Sequence, residues 1–251
     1  MARQKGIIKL KGTIGDISFY KTQDGYLARE KGGVDAARIA NDPTFQRTRE
    51  NGAEFGTAGK AGKMLRVALR ALLKNIADNR LVGRLTQEMV KVVKADTTNP
   101  RGQRNVIDGE AELLQGFEFN RNGKLGSTLF APVVSNIDRA SGKLTLDVPS
   151  FVPNNMIVAP EGTTHFKLMS AGAEIDFEAE TFVVDTKETD PLPLNAVPTA
   201  AVSMSNNVTP DSTHPLFIAF GIEFYQEVNG QMYPLKNGAF NALSLVKVSG
   251  L

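Results

Sequence analysis

Short apolar patches separated by turn residues open the chain. Ile7, Ile8 and Leu10 form one, Ile17-Ser-Phe19-Tyr20-Lys21 a second, and Asp24-Gly25 supplies a turn before Tyr26-Leu27-Ala28. Alternation over so few positions predicts short strands in a hairpin element over residues 6–30, ended by Gly32-Gly33. A sheet that small does not stand alone and needs another surface to pack on. The period then lengthens. Asp42-Pro43 is a helix start, with Asp as N-cap and Pro at the first helical position. The helical stretch is expected to break near Asn51-Gly52 and resume toward Ile76. Along it Ala58, Leu65, Leu69, Leu72 and Ile76 fall on one face, and Lys60, Lys63, Arg66, Arg70 and Lys74 on another. A second helix is predicted from about Asn79 to Lys94, with Leu81, Leu85, Met89 and Val92 facing inward. A short one follows around Glu110 to Leu114.

From Leu125 the pattern turns to β. Strand-like runs at residues 143–148, 164–169, 174–184, 216–225 and 242–248 lie among turn signals such as Ser141-Gly142, Glu161-Gly162 and Ala171-Gly172. Several short strands spaced this way predict an antiparallel β-sandwich, immunoglobulin-like in kind. The expected class is therefore α+β: an N-terminal β-hairpin element, a helical middle and a C-terminal sandwich. Two domains are expected, residues 1–124 and 125–251.

Charge adds what patterning does not show. Residues 1–125 carry 23 Lys/Arg against 14 Asp/Glu, a net of +9, and residues 126–251 carry 6 against 13, a net of −7. A whole-chain total of +2 hides this polarity, which favours binding something acidic at one end, or another copy head to tail. Cysteine is absent, which excludes disulfides, thiolate metal sites and thiol catalysis. No apolar run is long enough for a membrane span, and Lys9 and Lys11 interrupt what would be a signal-peptide core. With no signal peptide recognised, the expected location is cytoplasmic or within a particle assembled there.

Two charged constellations stand out. The basic row Lys60, Lys63, Arg66, Arg70, Lys74 reads either as the solvated face of an amphipathic helix or as a surface for phosphates or an acidic protein. Glu174-Ile-Asp176-Phe-Glu178-Ala-Glu180 alternates acid and apolar residues, which in a strand sets four carboxylates on one face. That face reads as solvated and protected against edge pairing, as a poor calcium site, or as a dock for the basic half of another subunit. Gly56-Thr-Ala-Gly59-Lys60-Ala-Gly62-Lys63 fails the phosphate-loop spacing, since Thr57 stands where Gly is required and Met64 where Ser or Thr is. Close packing of a small-residue helix face accounts for its glycines instead. His165 and His214, the two histidines, have no second ligand nearby in sequence, and His214 reads as a loop residue before Pro215. Neither cofactor, metal nor small-molecule substrate is implied, and no convergent group selects an enzyme.

The motifs Lys11-Gly12-Thr-Ile14-Gly15-Asp-Ile17-Ser18-Phe19-Tyr20-Lys21, Ala28-Arg29-Glu30-Lys31-Gly32-Gly33 and Asp42-Pro43-Thr-Phe45-Gln-Arg47-Thr48-Arg49-Glu50-Asn51 resemble an uncharacterised protein family of Bacteroidota. The likeness is best over about the first 120 residues and thinner in the β half. It implies a bacterial source and a similar opening followed by a β-sandwich, and it brings no reaction or site residues with it. The functional expectation is a non-enzymatic structural protein that self-associates into a homo-oligomer through oppositely charged halves. The alternative is a nucleic-acid partner for the basic helices. Carbohydrate or peptide binding by sandwich loops rests on fold analogy alone.

Overall fold

The computed structural model describes residues 2–30, 32–76 and 78–250. The chain divides into two units, residues 1–49 and 50–251.

In the first unit, β1 (Ala2–Arg3), β2 (Gly12–Ile14), β3 (Ile17–Thr22) and β4 (Gly25–Glu30) form an antiparallel sheet in the order β1-β4-β3-β2. Gly25, at φ +115°, makes the turn that Asp24-Gly25 predicts. The Ile7, Ile8 and Leu10 patch lies in the connection between β1 and β2 rather than in a strand. Helix α1 (Ala36–Asn41), which the apolar pattern did not reveal, follows Asp35 as its N-cap. Asp42 then caps the next element as expected, its side chain accepting from the Thr44 N–H at 2.9 Å, with Pro43 first in a 3₁₀ turn. Not one described residue of 2–49 is buried.

The long helix α2 (Gln46–Ala68) contains the boundary between the units and runs through Asn51-Gly52 without a break. A mid-helix glycine costs about 1 kcal/mol relative to alanine, less than the burial of Ala58, Ala61, Leu65 and Ala68 returns. After it come α3 (Arg70–Leu73) and α4 (Leu81–Ala95). The second unit continues with α5 (Leu125–Thr128), β5 (Val134–Asp138), β6 (Lys143–Val148), α6 (Pro153–Met156), β7 (His165–Asp176), β8 (Thr181–Glu188) and β9 (Leu192–Pro193). It closes with β10 (Val202–Asn207), β11 (Leu216–Val228), β12 (Gln231–Pro234) and β13 (Ala242–Ser249).

A six-stranded sheet is built on the path β12-β11-β7-β8, with β13 beside β11 and β9 beside β7; a three-stranded sheet has the order β10-β6-β5. All recorded pairings are antiparallel. Side-chain alternation along β7 and β11 gives the large sheet two buried faces. Met169, Ala171, Ala173, Ile175, Phe217 and Ala219 pack against α2, α3 and α4 in one core. Phe166, Leu168, Ile218, Phe220 and Phe224 pack against Leu144, Leu146 and Met204 of the small sheet in the other. The phenylalanines among these, all fully or nearly fully buried, each contribute roughly 2–3 kcal/mol.

The class is α+β. The division differs from the one expected at 124/125, because helices before residue 124 and strands after it share a core. Charge and element type change at that point, but cores are set by which apolar faces meet. The run 174–184 is likewise not one strand: β7 ends at Asp176 and a turn leads into β8. Among the described residues no helix is long and apolar enough to cross a membrane.

Candidate functional site

The basic row follows one side of α2 and α3, as its spacing requires. Lys60, Lys63, Arg70 and Lys74 are exposed and Arg66 is half-buried. Its two ends meet acid within the same chain. Lys60 lines a cleft of about 270 Å³ together with Thr57, Met64, Phe177, Glu178 and Glu180. Lys74 lines another of about 170 Å³ with Asn75, Met169, Lys187, Glu188 and Glu223. Both ends of the row therefore border carboxylates of the same chain.

The four carboxylates of 174–180 do not share a face. Glu174 is 5% exposed and points toward the β10-side layer. Its Oε1 accepts from the Ser212 hydroxyl at 2.7 Å and lies 3.0 Å from His214 Nδ1, while Oε2 accepts from the Thr209 N–H at 3.0 Å. Burial pushes the Glu174 carboxyl up, but the hydrogen bonds from His214, Ser212 and Thr209 outweigh it and hold it at about 2. Asp176 Oδ2 lies 3.4 Å from His214 Nε2. Asp176 Oδ1 accepts from the N–H groups of Glu178 and Ala179, both at 2.9 Å, and the Ala179 bond is the foremost reason its carboxyl sits below the usual range. Those two bonds turn the chain out of β7. Glu178 and Glu180 project from the resulting tip, with Glu180 in the left-handed region at φ +54°.

Arg139, in the turn between β5 and β6, braces the loop that carries His214. Its guanidinium donates to the carbonyls of Ser212 (2.7 Å) and His214 (2.8 Å), and to those of Ser249 (3.2 Å) and Gly250 (2.6 Å). Both ring nitrogens of His214 are thus engaged by carboxylates, and the Ser212 hydroxyl is committed to Glu174. This is a clamp that holds a loop and a hairpin root together. It presents neither a base aimed at a nucleophile nor a free nucleophile. His165 sits apart, with Nδ1 3.0 Å from the Thr164 hydroxyl and Nε2 3.8 Å from the Glu227 carboxylate. Among the described residues no group of three or more His, Asp or Glu side chains has metal-holding geometry.

The Gly56–Lys63 segment is interior helix. Gly62 faces Leu85 and Met89, as close packing requires, but an added Cβ at Gly52, Gly56 or Gly59 would meet nothing within 4 Å. Helix packing therefore accounts for one of these glycines.

The sequence did not reveal the other surface of interest, one face of the N-terminal sheet. Register places Ile14 opposite Ile17, Phe19 opposite Ala28 and Lys21 opposite Tyr26 on that face. Ile14 and Ile17 are exposed, and the Tyr26 ring has Lys9 and Lys21 nitrogens 5.9 and 5.5 Å from its centroid. The face is apolar at its centre and basic at one end.

No family model, curated protein or solved structure matches the chain.

Proposed function

We propose that the protein is a non-enzymatic structural component that assembles with further copies of itself. One observation carries the reading. Residues 2–49 adopt a four-stranded sheet and a helix, yet none of the described ones is buried, and Ile7, Ile8, Ile14 and Ile17 face solvent. Strands in water gain stability by burying an apolar face, and a sheet with no core of its own is stabilised by a surface outside it.

The charge balance supports a second copy as that surface. Residues 1–49 hold 10 Lys/Arg against 5 Asp/Glu, a net of +5, so the remaining residues carry −3. In this reading the attraction moves from the α2–α3 row, whose ends face acid in their own chain, to the N-terminal unit. The two sheets that face each other across the second core serve as a sandwich-like body. An N-terminal unit that binds the body of the next copy makes a heterologous contact, which closes into rings or extends into filaments.

The test is mass by light scattering across protein concentration at low and high ionic strength, with electron microscopy of the low-salt sample. The expected result is a mass that rises with concentration and falls with added salt. A monomer throughout the low-salt series overturns the reading. If added nucleic acid shifts in a gel, steeply salt-dependent, while the protein alone stays monomeric, the Lys63, Arg66 and Arg70 strip serves phosphates instead.

A further inference from the structure

Resting on that self-assembly reading, we propose that the apolar face of the N-terminal sheet of one copy seats on the tip of the β7–β8 hairpin of a second copy, with Lys9 and Lys21 facing Glu178 and Glu180.

The tip is the complement of the sheet in both chemistries. Six consecutive residues, Glu178 to Val183, are exposed. Phe182 and Val183, at 42% and 45% exposure, put two large apolar side chains at the end of the large sheet beside two carboxylates. The surrounding segment, residues 174–190, holds seven Asp/Glu against the single Lys187. Residues 2–30 hold six Lys/Arg against three Asp/Glu. The sheet face is apolar at its centre, with Lys9 and Lys21 at one end and Glu30 opposite Ile17 at the other; the tip offers Phe182 and Val183, on opposite faces of β8, beside two carboxylates. Seating the Lys9–Lys21 end on the tip covers Phe182 and opposes unlike charges, which favours this pairing over a contact between two sheets or two tips.

Other surfaces match less well. An open apolar groove between α2 and α4, lined by Phe55, Gly59, Val82, Gly83 and Val90, offers volume with no carboxylate among its walls. The α2–α3 row would repel the sheet.

The tip is also held ready. Its root is fixed by Asp176 and by Glu174 through the His214 loop, so ordering it on contact loses little entropy. The two carboxylates that make the clamp are spent on it; the two at the tip are exposed and border Lys60 of their own chain across the cleft, where they also face outward.

The experiment uses full-length chains with exposed positions exchanged. Lys9→Glu with Lys21→Glu makes the sheet acidic, and Glu178→Lys with Glu180→Lys makes the tip basic. Each double variant alone presents like charges across the contact, and its association constant at low salt is expected to fall on the order of tenfold to a hundredfold. The chain carrying all four substitutions restores unlike charges and is expected to reassociate. An equimolar mixture of the two double variants is expected to co-assemble, since each supplies the complement the other lacks. Far-UV circular dichroism and thermal melting establish that every variant is folded. Phe182→Asp is expected to weaken association in all backgrounds. If the unaltered chain is monomeric, both the assembly reading and this contact are overturned. If it assembles and neither double variant weakens it, assembly stands and this contact is overturned. Loss without recovery in the fourfold chain overturns the pairing as well.

Discussion

Glu174 offers a sharp test of the folded body, because its environment fixes both the size and the sign of an acid effect. Its carboxyl is held at about 2 against an ordinary 4.5. The folded protein therefore binds this proton less readily than the unfolded chain, and acid favours unfolding. The contribution is present in full above about pH 4.5 and fades as pH falls toward about 2. A difference of roughly 2.5 units corresponds to roughly 3 kcal/mol at most. Glu174→Gln keeps the shape but leaves Thr209, Ser212 or His214 short of an acceptor. Its cost at pH 7 is about 2–3 kcal/mol. For a folded body of this size that is a fall in Tm of roughly 5–10 °C. The assay is urea unfolding of both proteins at several pH values between about 7 and 3. The gap between them should be widest at neutral pH and close as the solution is acidified. Asp96, also held low, titrates in both proteins and cancels in the difference. Asp176, a neighbouring carboxylate, contributes a smaller coupled change, since the Glu174 charge raises it. A gap that stays constant, or widens in acid, would refute the reasoning.

Three further outcomes test other parts of the fold. Asp96 is fully buried and accepts from the N–H groups of Thr98, Asn99 and Asn105 and from the Asn99 amide, so Asp96→Asn should cost about 2–3 kcal/mol in denaturant and speed hydrogen exchange across residues 97–105. Gly142 sits at φ +68°, and an added Cβ would lie 2.4 Å from the Val208 carbonyl oxygen, so Gly142→Ala should cost about 3 kcal/mol or more and show as a lowered melting point. Gly59 is mid-helix with open space where a Cβ would go; Gly59→Ala should raise stability by up to about 1 kcal/mol, and a loss of stability would contradict that open space.

How much of this was legible depended on whether a signal was local. The Asp42-Pro43 cap, the buried face of α4 at Leu85, Met89 and Val92, and β6 at Lys143–Val148 are each set by neighbours a few residues away, and each stands where its pattern places it. Asn51-Gly52 marks a break by composition, yet α2 continues because the sheet beneath buries its other face, which sequence spacing does not display. The core shared by the helices and the large sheet was hidden for the same reason: they find one another across about a hundred residues of chain. The clamp was invisible because Glu174 and His214 lie 40 residues apart and each alone reads as surface or loop. The end of β7 was hidden by a pattern that suits a strand equally well, since the turn residue in the left-handed region is Glu180 where Gly or Asn would have announced it.

The four acids that read as one charged stripe thus separate into two working pairs, and the separation bears on assembly. Glu174 and Asp176 give up exposure to fix the root of a hairpin, and the backbone bonds of Asp176 aim Glu178 and Glu180 outward. A contact that depends on the tip then depends on the clamp, though the clamp touches no partner. Glu174→Gln should therefore loosen the hairpin and weaken self-association at neutral pH, while leaving every tip side chain in place. Lowering the pH of the unaltered protein toward about 2 acts on the same root by protonating Glu174. The substitution does so at neutral pH: weaker association in the variant at pH 7 reports the root, and unchanged association there would show that the tip holds its shape without it.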